Sequence, residues 1–267
     1  MAKKTAYYAI SVYDPDSGYK MSINPNLLFH AASTYKSAIL VAVMRLDQDH
    51  ILSLKDKITV DNEFKSIIDA STYALENDLS EPDMTFSQIG QEVSIMDLLN
   101  IMIEKSSNLA TNVLLKHIGI EKVNQTLQIL ESKIVVARGI SDDKAYADCI
   151  NNLITAQDLE SLYQSIYSDK IDDKHRQITL EILEKNSETK KFHGKLPDTV
   201  KVAHKPGNTS KVFHDAGIII PESGFPYFIT ILASQYKSEK KTTEAIADVS
   251  FLVYQEIIKA RLVKINP

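Results

Sequence analysis

Hydrophobic and polar positions alternate at the two ends of the chain. Every second residue of "AYYAISVYD" from Ala6 to Val12 is apolar, and this period of two predicts a strand. "DPDSG" has turn chemistry, and "YKMSI" completes a predicted hairpin. From Val200 onward, "VKVAH", "FHDAGIII" and "PYFITILAS" have the composition of strands, with Gly and Pro between them. The sequence therefore predicts strands at both ends of the chain.

The segment between these ends has helical spacing of its apolar residues. In "SIMDLLNIMIEK" the apolar residues recur at i, i+3, i+4 and i+7, and Ser94 and Asp97 suit an N-terminal capping box. "LATNVLLKHIG" predicts a second helix that ends at Gly119, and "TAQDLESLYQSIY" and "KHRQITLEILEK" predict two more. Ser33–Met44 is apolar on all sides, which predicts a buried helix. A last helix is expected over about 240–262.

This order of elements predicts an α/β (α+β) fold with one antiparallel sheet. The sheet would be built from both chain ends, and an all-helical domain would be inserted between them. We expect a sheet domain formed by residues 1–32 and 196–267, and a mainly helical domain formed by residues 33–195. An all-α array would require helical ends, which the alternating pattern argues against.

Composition and charge exclude several classes of protein. At 267 residues, 44% of them hydrophobic, the chain can bury a sizeable core. A formal net charge of −5 without a long basic cluster gives no support for nucleic acid or an anionic membrane as partner. The apolar runs are too short to span a bilayer, and Cys149, the only cysteine, rules out an internal disulfide. The N-terminal residues do not look like a signal peptide, so the localisation stays open.

One Ser-x-x-Lys motif stands in a special context. The pattern occurs six times, beginning at Ser17, Ser33, Ser141, Ser187, Ser234 and Ser238. Only Ser33 directly precedes the predicted buried helix. A serine at a helix N-terminus has a free backbone N–H that can bind an anion. Lys36, one turn later, lies on the same face, and burial there would lower its pKa toward a value suited to taking the serine proton.

Two further motifs complete a set. "EKSSNLATN" places Ser106 and Asn108 in a short break between two helices, and "VKVAHKPGNTS" places Lys205, Pro206 and Gly207 at the end of a strand. With "STYK" these resemble, in the same order, the Ser-x-x-Lys, Ser-Asp-Asn and Lys-Thr-Gly signatures of class A β-lactamases and penicillin-binding proteins. The order of strands, helical insert and strands also matches that family. The resemblance covers nearly the whole chain and implies a β-lactamase-like fold.

The resemblance implies a serine hydrolase that works through a covalent acyl-enzyme. Ser33 would attack the substrate carbonyl, and Lys36 would take or relay its proton. Ser106 would pass a proton to the leaving nitrogen, aided electrostatically by Lys205. These residues form the catalytic set that the resemblance assigns.

The remaining motif residues are implied to bind the substrate. Asn108 would hold the acyl-side amide, and the oxyanion would lie between the backbone N–H groups of Ser33 and Asn208. Gly207 would let its strand approach the substrate closely. The implied partner is a small β-lactam or related amide or ester, and we expect a monomer without a cofactor. The seven histidines lack metal-ligand spacing, so no metal site is expected.

Three positions depart from the family pattern. Ser107 stands where the family usually has Asp. Pro206 replaces the Thr that lends a hydroxyl to the substrate carboxylate, which implies weaker carboxylate binding or a different substrate. His214 lies near the place of a cationic helper for that carboxylate, although an ordinary strand histidine is an equal alternative.

The largest departure lies in the segment that resembles the family's Ω-loop. Class A enzymes carry a Glu there that activates the deacylating water. Between Arg138 and Asn152, "RGISDDKAYADCINN" contains no Glu. Its carboxylates are Asp142, Asp143 and Asp148, and either one of them serves as the base or all are turn and cap residues.

Three functions therefore remain open. The first is a β-lactamase-like hydrolase that opens β-lactam rings and is slow to deacylate. The second is a D-alanyl-D-alanine peptidase or esterase on the same scaffold, which the missing Glu favours. The third is a non-catalytic sensor that binds β-lactam or peptidoglycan. The family is usually exported.

Overall fold

The central feature of the computed structural model, which describes residues 6–79, 82–186 and 190–265, is an antiparallel sheet drawn from both chain ends. The strands are β1 (Tyr7–Tyr13), β2 (Lys20–Ile23), β3 (Phe29–His30), β4 (Lys57–Thr59), β5 (Phe64–Lys65), β6 (Thr72–Tyr73), β7 (Glu92–Ser94), β8 (Leu153–Ile154), β9 (Lys201–His204), β10 (Gly207–Asn208), β11 (Val212–Ile220) and β12 (Tyr227–Ser234). The order of strands in the main sheet is β10-β11-β12-β1-β2, and β9 also pairs with β11. Outside the main sheet, β3 pairs with β8, β4 with β7 and β5 with β6.

Most of the helices lie between the two groups of sheet strands. They are α1 (Lys36–Gln48), α2 (Ile95–Glu104), α3 (Asn108–Ile118), α4 (Ile120–Ile129), α5 (Asp143–Ala147), α6 (Ala156–Ser165), α7 (Asp173–Glu184) and α8 (Glu239–Ile265). Within the described ranges, none of them is both long and apolar enough to cross a membrane. The α/β class with one antiparallel sheet is thus confirmed.

The sheet separates two hydrophobic cores. Successive residues of a strand point to opposite faces, so neighbours on β12 belong to different cores. Ile229 and Ile231 pack with Ile257 of α8, whereas Phe228 and Leu232 join the core of the helices on the other face. This second core holds α1 against the sheet and thereby fixes the position of its first turn.

The predicted buried helix forms, but it begins later than its apolar pattern suggests. Ala32–Tyr35 is a 3₁₀ turn, and the α-helix begins at Lys36. Elsewhere, the predicted cap of α2 is confirmed, because the Ser94 hydroxyl accepts the Asp97 N–H at 3.1 Å. The helix α4 was not predicted. It starts directly after Gly119, whose φ of 86° reverses the chain between α3 and α4.

Candidate active site

Ser33 lies in the 3₁₀ turn Ala32–Tyr35, directly ahead of α1. The hydroxyl and the backbone N–H of Thr34 both donate to the carbonyl of Ala31, at 2.6 and 3.2 Å, and these bonds fix the turn. Ala32 has a φ of 48°, a left-handed conformation that costs a non-glycine residue roughly 1–3 kcal/mol. This turn leaves Ser33 half-buried in the wall of a cavity.

The amine of Lys36 is buried and surrounded by the motif between α2 and α3. Its Nζ donates to the Ser106 carbonyl at 2.7 Å and to Asn108 Oδ1 at 2.8 Å. The Ser106 hydroxyl oxygen lies 3.3 Å from the same nitrogen, and the Ser107 carbonyl lies 3.4 Å from it. The two motifs that are far apart in the sequence therefore meet at one amine.

The pKa of Lys36 is held well below its usual range. Burial is the main cause, because it disfavours the charged ammonium. The positive charge of Lys205 lowers the pKa further, and the carboxylate of Asp83 opposes both effects. A lowered pKa raises the fraction of neutral amine, which is the form that can accept a proton.

The Ser106–Asn108 segment makes the turn between α2 and α3, and Asn108 is the first residue of α3. Ser106 has a φ of 56°, and Ser107 caps α3 by accepting the N–H of Ala110 at 2.9 Å. Because Asn108 Oδ1 accepts a hydrogen bond from the amine of Lys36, the Nδ2 group of Asn108 is the one that can donate to a substrate carbonyl. Ser106 and Asn108 both line the cavity at Ser33.

The third motif approaches from the sheet. A Cβ atom on Gly207 would lie 2.8 Å from the Ser33 nitrogen and 2.9 Å from the Thr34 nitrogen, so only glycine fits there. The backbones of β10 and of the 3₁₀ turn Ala32–Tyr35 are therefore in direct contact. Ser33 and Asn208 line the same cavity, as the two N–H donors of an oxyanion hole must.

Two cavities meet at Ser33. The larger has a volume of 510 Å³, and the smaller, toward the segment that resembles the Ω-loop, has 210 Å³. The larger is lined by Ser33, Pro82, Asp83, Met84, Lys105, Ser106, Ser107, Asn108, Lys205, Pro206 and Asn208. The smaller is lined by His30, Ala32, Ser33, Tyr35, Asn108, Arg138, Ile140, Ser141, Asn152, Asn208 and Thr209.

Comparison with known proteins identifies the family and the fold. The sequence profile of the beta-lactamase enzyme family matches residues 1–257. The chain belongs to the beta-lactamase enzyme family. Family membership and the fold together support a serine hydrolase of the β-lactamase and penicillin-binding type.

Several solved structures share the fold. PBP-A is 23% identical with a TM-score of 0.81, over 97% of this chain and 92% of that protein. A β-lactamase from Sphaerobacter thermophilus is 20% identical with a TM-score of 0.78, over 96% and 93% of the two chains. TLA-1, an extended-spectrum β-lactamase, is 21% identical with a TM-score of 0.79, over 96% and 95%. A comparison with curated proteins finds no match.

His214 does not reach the cavity as a charged group. Its ring is fully buried, its Nε2 is 3.0 Å from the carbonyl of His30, and its Nδ1 accepts the N–H of Ala233 at 3.2 Å. Burial lowers the pKa of His214 to about 4, so the ring is neutral at pH 7. Of the two alternatives for this residue, the geometry supports the ordinary strand histidine.

The buried amine of Lys191, which the motifs did not reveal, lies next to His214 and Asn208. Its Nζ donates to Asn208 Oδ1 at 2.7 Å and to the His214 carbonyl at 2.9 Å, and lies 4.1 Å from the centre of the Phe213 ring. Burial, and then the charge of Lys191, lower the pKa of Lys205 to about 7. No local pattern marks Lys191, because its role depends on contacts with β10 and β11.

The loop aspartates lie away from Ser33. Asp142 caps α5 and accepts the Ser66 hydroxyl at 2.7 Å and the Ile67 N–H at 2.9 Å. Asp143 and Asp148 are exposed, at the first turn and the end of α5. None of the three lines either cavity at Ser33, and the geometry therefore supports the cap and turn alternative.

The close contact of Gly207 leads to a prediction. Gly207→Ala should reduce the acylation rate at least about 10²-fold, because the new methyl group displaces the Ser33 N–H, and removing one oxyanion donor has that effect. Overpacking should also lower stability by about 1–3 kcal/mol. Stopped-flow acylation kinetics and thermal unfolding would measure the two effects.

Gly194→Ala is the matched control for that variant. Its Cβ would meet only the Ala247 methyl group, at 3.2 Å, on the far side of the sheet. We expect wild-type acylation from it. An unchanged acylation rate in Gly207→Ala would show that the Ser33 N–H does not bind the oxyanion.

Proposed function

We propose that this protein is a serine hydrolase that opens β-lactam rings, forms a covalent acyl-enzyme at Ser33 and releases it slowly. The observation that carries this proposal is the buried amine of Lys36. It follows Ser33 by one turn and is hydrogen-bonded to Ser106 and Asn108. Belonging to the beta-lactamase enzyme family supports the same reading.

Acylation can proceed with the residues around this amine. Neutral Lys36 takes the proton of the Ser33 hydroxyl while Oγ bonds to the substrate carbonyl carbon. When the tetrahedral intermediate collapses, the C–N bond breaks and the Ser106 hydroxyl gives its proton to the leaving nitrogen. Lys36, now an ammonium with Nζ 3.3 Å from Ser106 Oγ, returns a proton to Ser106. The amine and both hydroxyl groups thus move one proton from nucleophile to leaving group.

The other motif residues supply binding and charge stabilisation. The N–H groups of Ser33 and Asn208 would hold the oxyanion, and removing such a donor costs about 10²–10³-fold in rate. The Nδ2 group of Asn108 would bind the acyl-side carbonyl. Lys205 would attract the substrate carboxylate, without the hydroxyl that Pro206 cannot provide.

The smaller cavity supports slow deacylation. Hydrolysis of the ester needs a base that activates water on the side of the loop. Among the described residues lining this cavity there is no Asp or Glu, and the charged group present is Arg138. A guanidinium cannot take a proton from water, because it is always protonated. We infer that the acyl-enzyme persists.

The same observation favours a second candidate, a D-alanyl-D-alanine peptidase. PBP-A has the same fold, and a variant of that protein has been solved as an acyl-enzyme complex with penicillin G. A peptidase also acylates through a serine, and β-lactams would then trap it. A peptide ending in D-Ala-D-Ala is the substrate that distinguishes the two.

The test combines intact mass with turnover. After mixing with penicillin G, we expect one covalent adduct per chain that persists for many minutes, and a burst of nitrocefin hydrolysis followed by a slow steady rate. Release of D-alanine from the peptide would favour the peptidase. Rapid steady nitrocefin turnover with no detectable adduct would contradict slow deacylation, and no adduct with any β-lactam would contradict the proposed function.

Two variants sharpen this experiment. Ile140→Glu places a carboxylate at a position that lines the smaller cavity, and should shorten the adduct lifetime. Asp143→Asn removes an exposed loop carboxylate outside the cavity, and should leave the lifetime unchanged. A longer-lived adduct in Asp143→Asn would instead identify Asp143 as the deacylation base.

A further inference from the structure

The middle motif lacks its usual carboxylate, and the structure supplies one from another segment. Asp83 lies just ahead of the 3₁₀ turn Met84–Gln88 and lines the larger cavity. Its Oδ2 accepts the Ser107 hydroxyl at 2.7 Å and the Leu109 N–H at 3.1 Å. Its Oδ1 accepts the Thr85 N–H at 3.0 Å. The carboxylate thus joins two segments that are more than twenty residues apart.

The hydroxyl of Ser107 is fully used in this arrangement. It donates to Asp83, accepts the Ala110 N–H at 2.9 Å, and lies 2.8 Å from the Thr85 hydroxyl. A serine hydroxyl has one donor and two acceptor lone pairs, so these three bonds saturate it. Ser107 therefore has no rotational freedom, and the turn is held at its centre.

This anchor acts on the turn that surrounds Lys36. Ser106 adopts a left-handed φ of 56°, which a serine occupies only when neighbouring contacts enforce it. The carbonyls of Ser106 and Ser107 both accept the amine of Lys36. If the anchor at Ser107 is lost, the carbonyls and the Ser106 hydroxyl lose their fixed place around the amine.

We propose that Asp83 is a positioning residue of the acylation site, which holds the Ser106–Asn108 turn against Lys36 and supplies the negative charge that the amine faces. The catalytic part of this assignment rests on the proposed function. The structural part is that Asp83 supplies the carboxylate that the motif usually carries at position 107. It is supported by the hydrogen bonds of Asp83 alone.

The charges facing Lys36 give the direction of the effect. Lys205, at the end of β9, adds a positive charge, and Asp83, ahead of the 3₁₀ turn, adds a negative one. Burial and Lys205 lower the pKa of Lys36, whereas Asp83 raises it. Removal of the Asp83 charge must therefore lower the pKa of Lys36 further.

The competing explanation is that Asp83 only caps the 3₁₀ turn. An exchange of the two side chains separates these explanations, because positions 83 and 107 are both N-caps and both Ser and Asp are good cap residues. The double variant Asp83→Ser/Ser107→Asp keeps both caps and returns the carboxylate to the turn. Asp83→Asn keeps the shape and removes the charge.

The first measurement does not depend on activity. The Nζ resonance of Lys36 is followed over pH by NMR on lysine-labelled protein and assigned with Lys36→Met. In Asp83→Asn the pKa of Lys36 should fall below its wild-type value, and in the exchange variant it should return toward that value. Asp97→Asn, which changes an exposed cap carboxylate at the other end of α2, should leave it unchanged.

The second measurement is the acylation rate with penicillin G. Asp83→Asn should acylate about 10²-fold more slowly, since misplacement on the scale of 1 Å has that cost, and the exchange variant should recover to within about 10-fold of wild type. An unshifted Lys36 titration in Asp83→Asn, or an exchange variant as slow as Asp83→Asn, would overturn the proposal. A wild-type protein that forms no adduct would refute the proposed function, while the titration would still decide the role of Asp83.

Discussion

Ser33→Ala should abolish covalent labelling by penicillin G and by an activated fluorophosphonate. The expected loss is complete, because among the residues that the structure describes only Ser33 stands both in a turn contacted by β10 and one turn before a buried lysine. The variant should remain folded, since the Ser33 hydroxyl makes none of the hydrogen bonds that fix the 3₁₀ turn. Intact mass spectrometry measures the adduct, and thermal unfolding checks the fold.

Ser141→Ala is the matched control for the nucleophile. Ser141 also begins a Ser-x-x-Lys motif and lines the smaller cavity at Ser33. Its lysine, Lys144, is exposed and paired with Asp69, so it cannot act as a desolvated base. The control should label like wild type. An adduct that survives in Ser33→Ala and disappears in Ser141→Ala would assign the nucleophile to the loop.

The fold could be predicted from the sequence because its elements carry local signals. Alternation marked the strands at both ends, and the uncharged run that follows Lys36 marked α1 as a buried helix. The exact start of α1 could not be predicted from the sequence. It depends on the bonds from Thr34 to Ala31 and on the left-handed Ala32, which an apolar pattern does not encode. The short helix α4 was missed because Gly119 looks like an end rather than a link.

The residues of the candidate site likewise fall into those that the sequence predicts and those that it does not. Residues inside the three motifs could be named from the sequence, and the structure brings Ser33, Lys36, Ser106, Lys205 and Asn208 together. Residues that act on those motifs from elsewhere could not. Asp83 and Lys191 are separated in sequence from the residues they bind, and neither lies in a recognisable pattern. Their positions follow from tertiary packing alone.

These two distant residues act on the same chain of charges. Burial is the main cause that lowers the pKa of both Lys36 and Lys205. The charge of Lys191 lowers the pKa of Lys205 further, Lys205 does the same to Lys36, and Asp83 raises the pKa of Lys36. Like charges in a buried site disfavour one another, so each lysine shifts the neighbouring lysine toward the neutral amine. The protonation state of Lys36 therefore depends on its burial and on charged groups from three separate segments of the chain.

Lys36→Ala should slow acylation by penicillin G by about 10²–10⁴-fold, the usual contribution of a general base. The proton of Ser33 then has no acceptor, and Ser106 has no source from which to regain its own proton. The loss should appear in the rate of adduct formation at saturating substrate. Lys241→Ala, the exposed lysine of another Ser-x-x-Lys motif, is the matched control and should acylate like wild type.

Lys205→Ala should act differently, and the pH dependence shows why. Acylation needs neutral Lys36, so the rate rises with pH through the lowered pKa of that amine. Substrate binding needs charged Lys205, whose pKa of about 7 means that the free protein loses this charge as pH rises past 7. Lys205→Ala should therefore weaken substrate binding and flatten the decline of binding above pH 7. Lys36→Ala should instead remove the rise of the acylation rate on the acid side.

Stopped-flow acylation from pH 5 to 9, at several penicillin concentrations, separates affinity from rate. If neither substitution changes the acylation rate or its pH profile, the chain shares the fold of its family without the proton transfer assigned to these lysines.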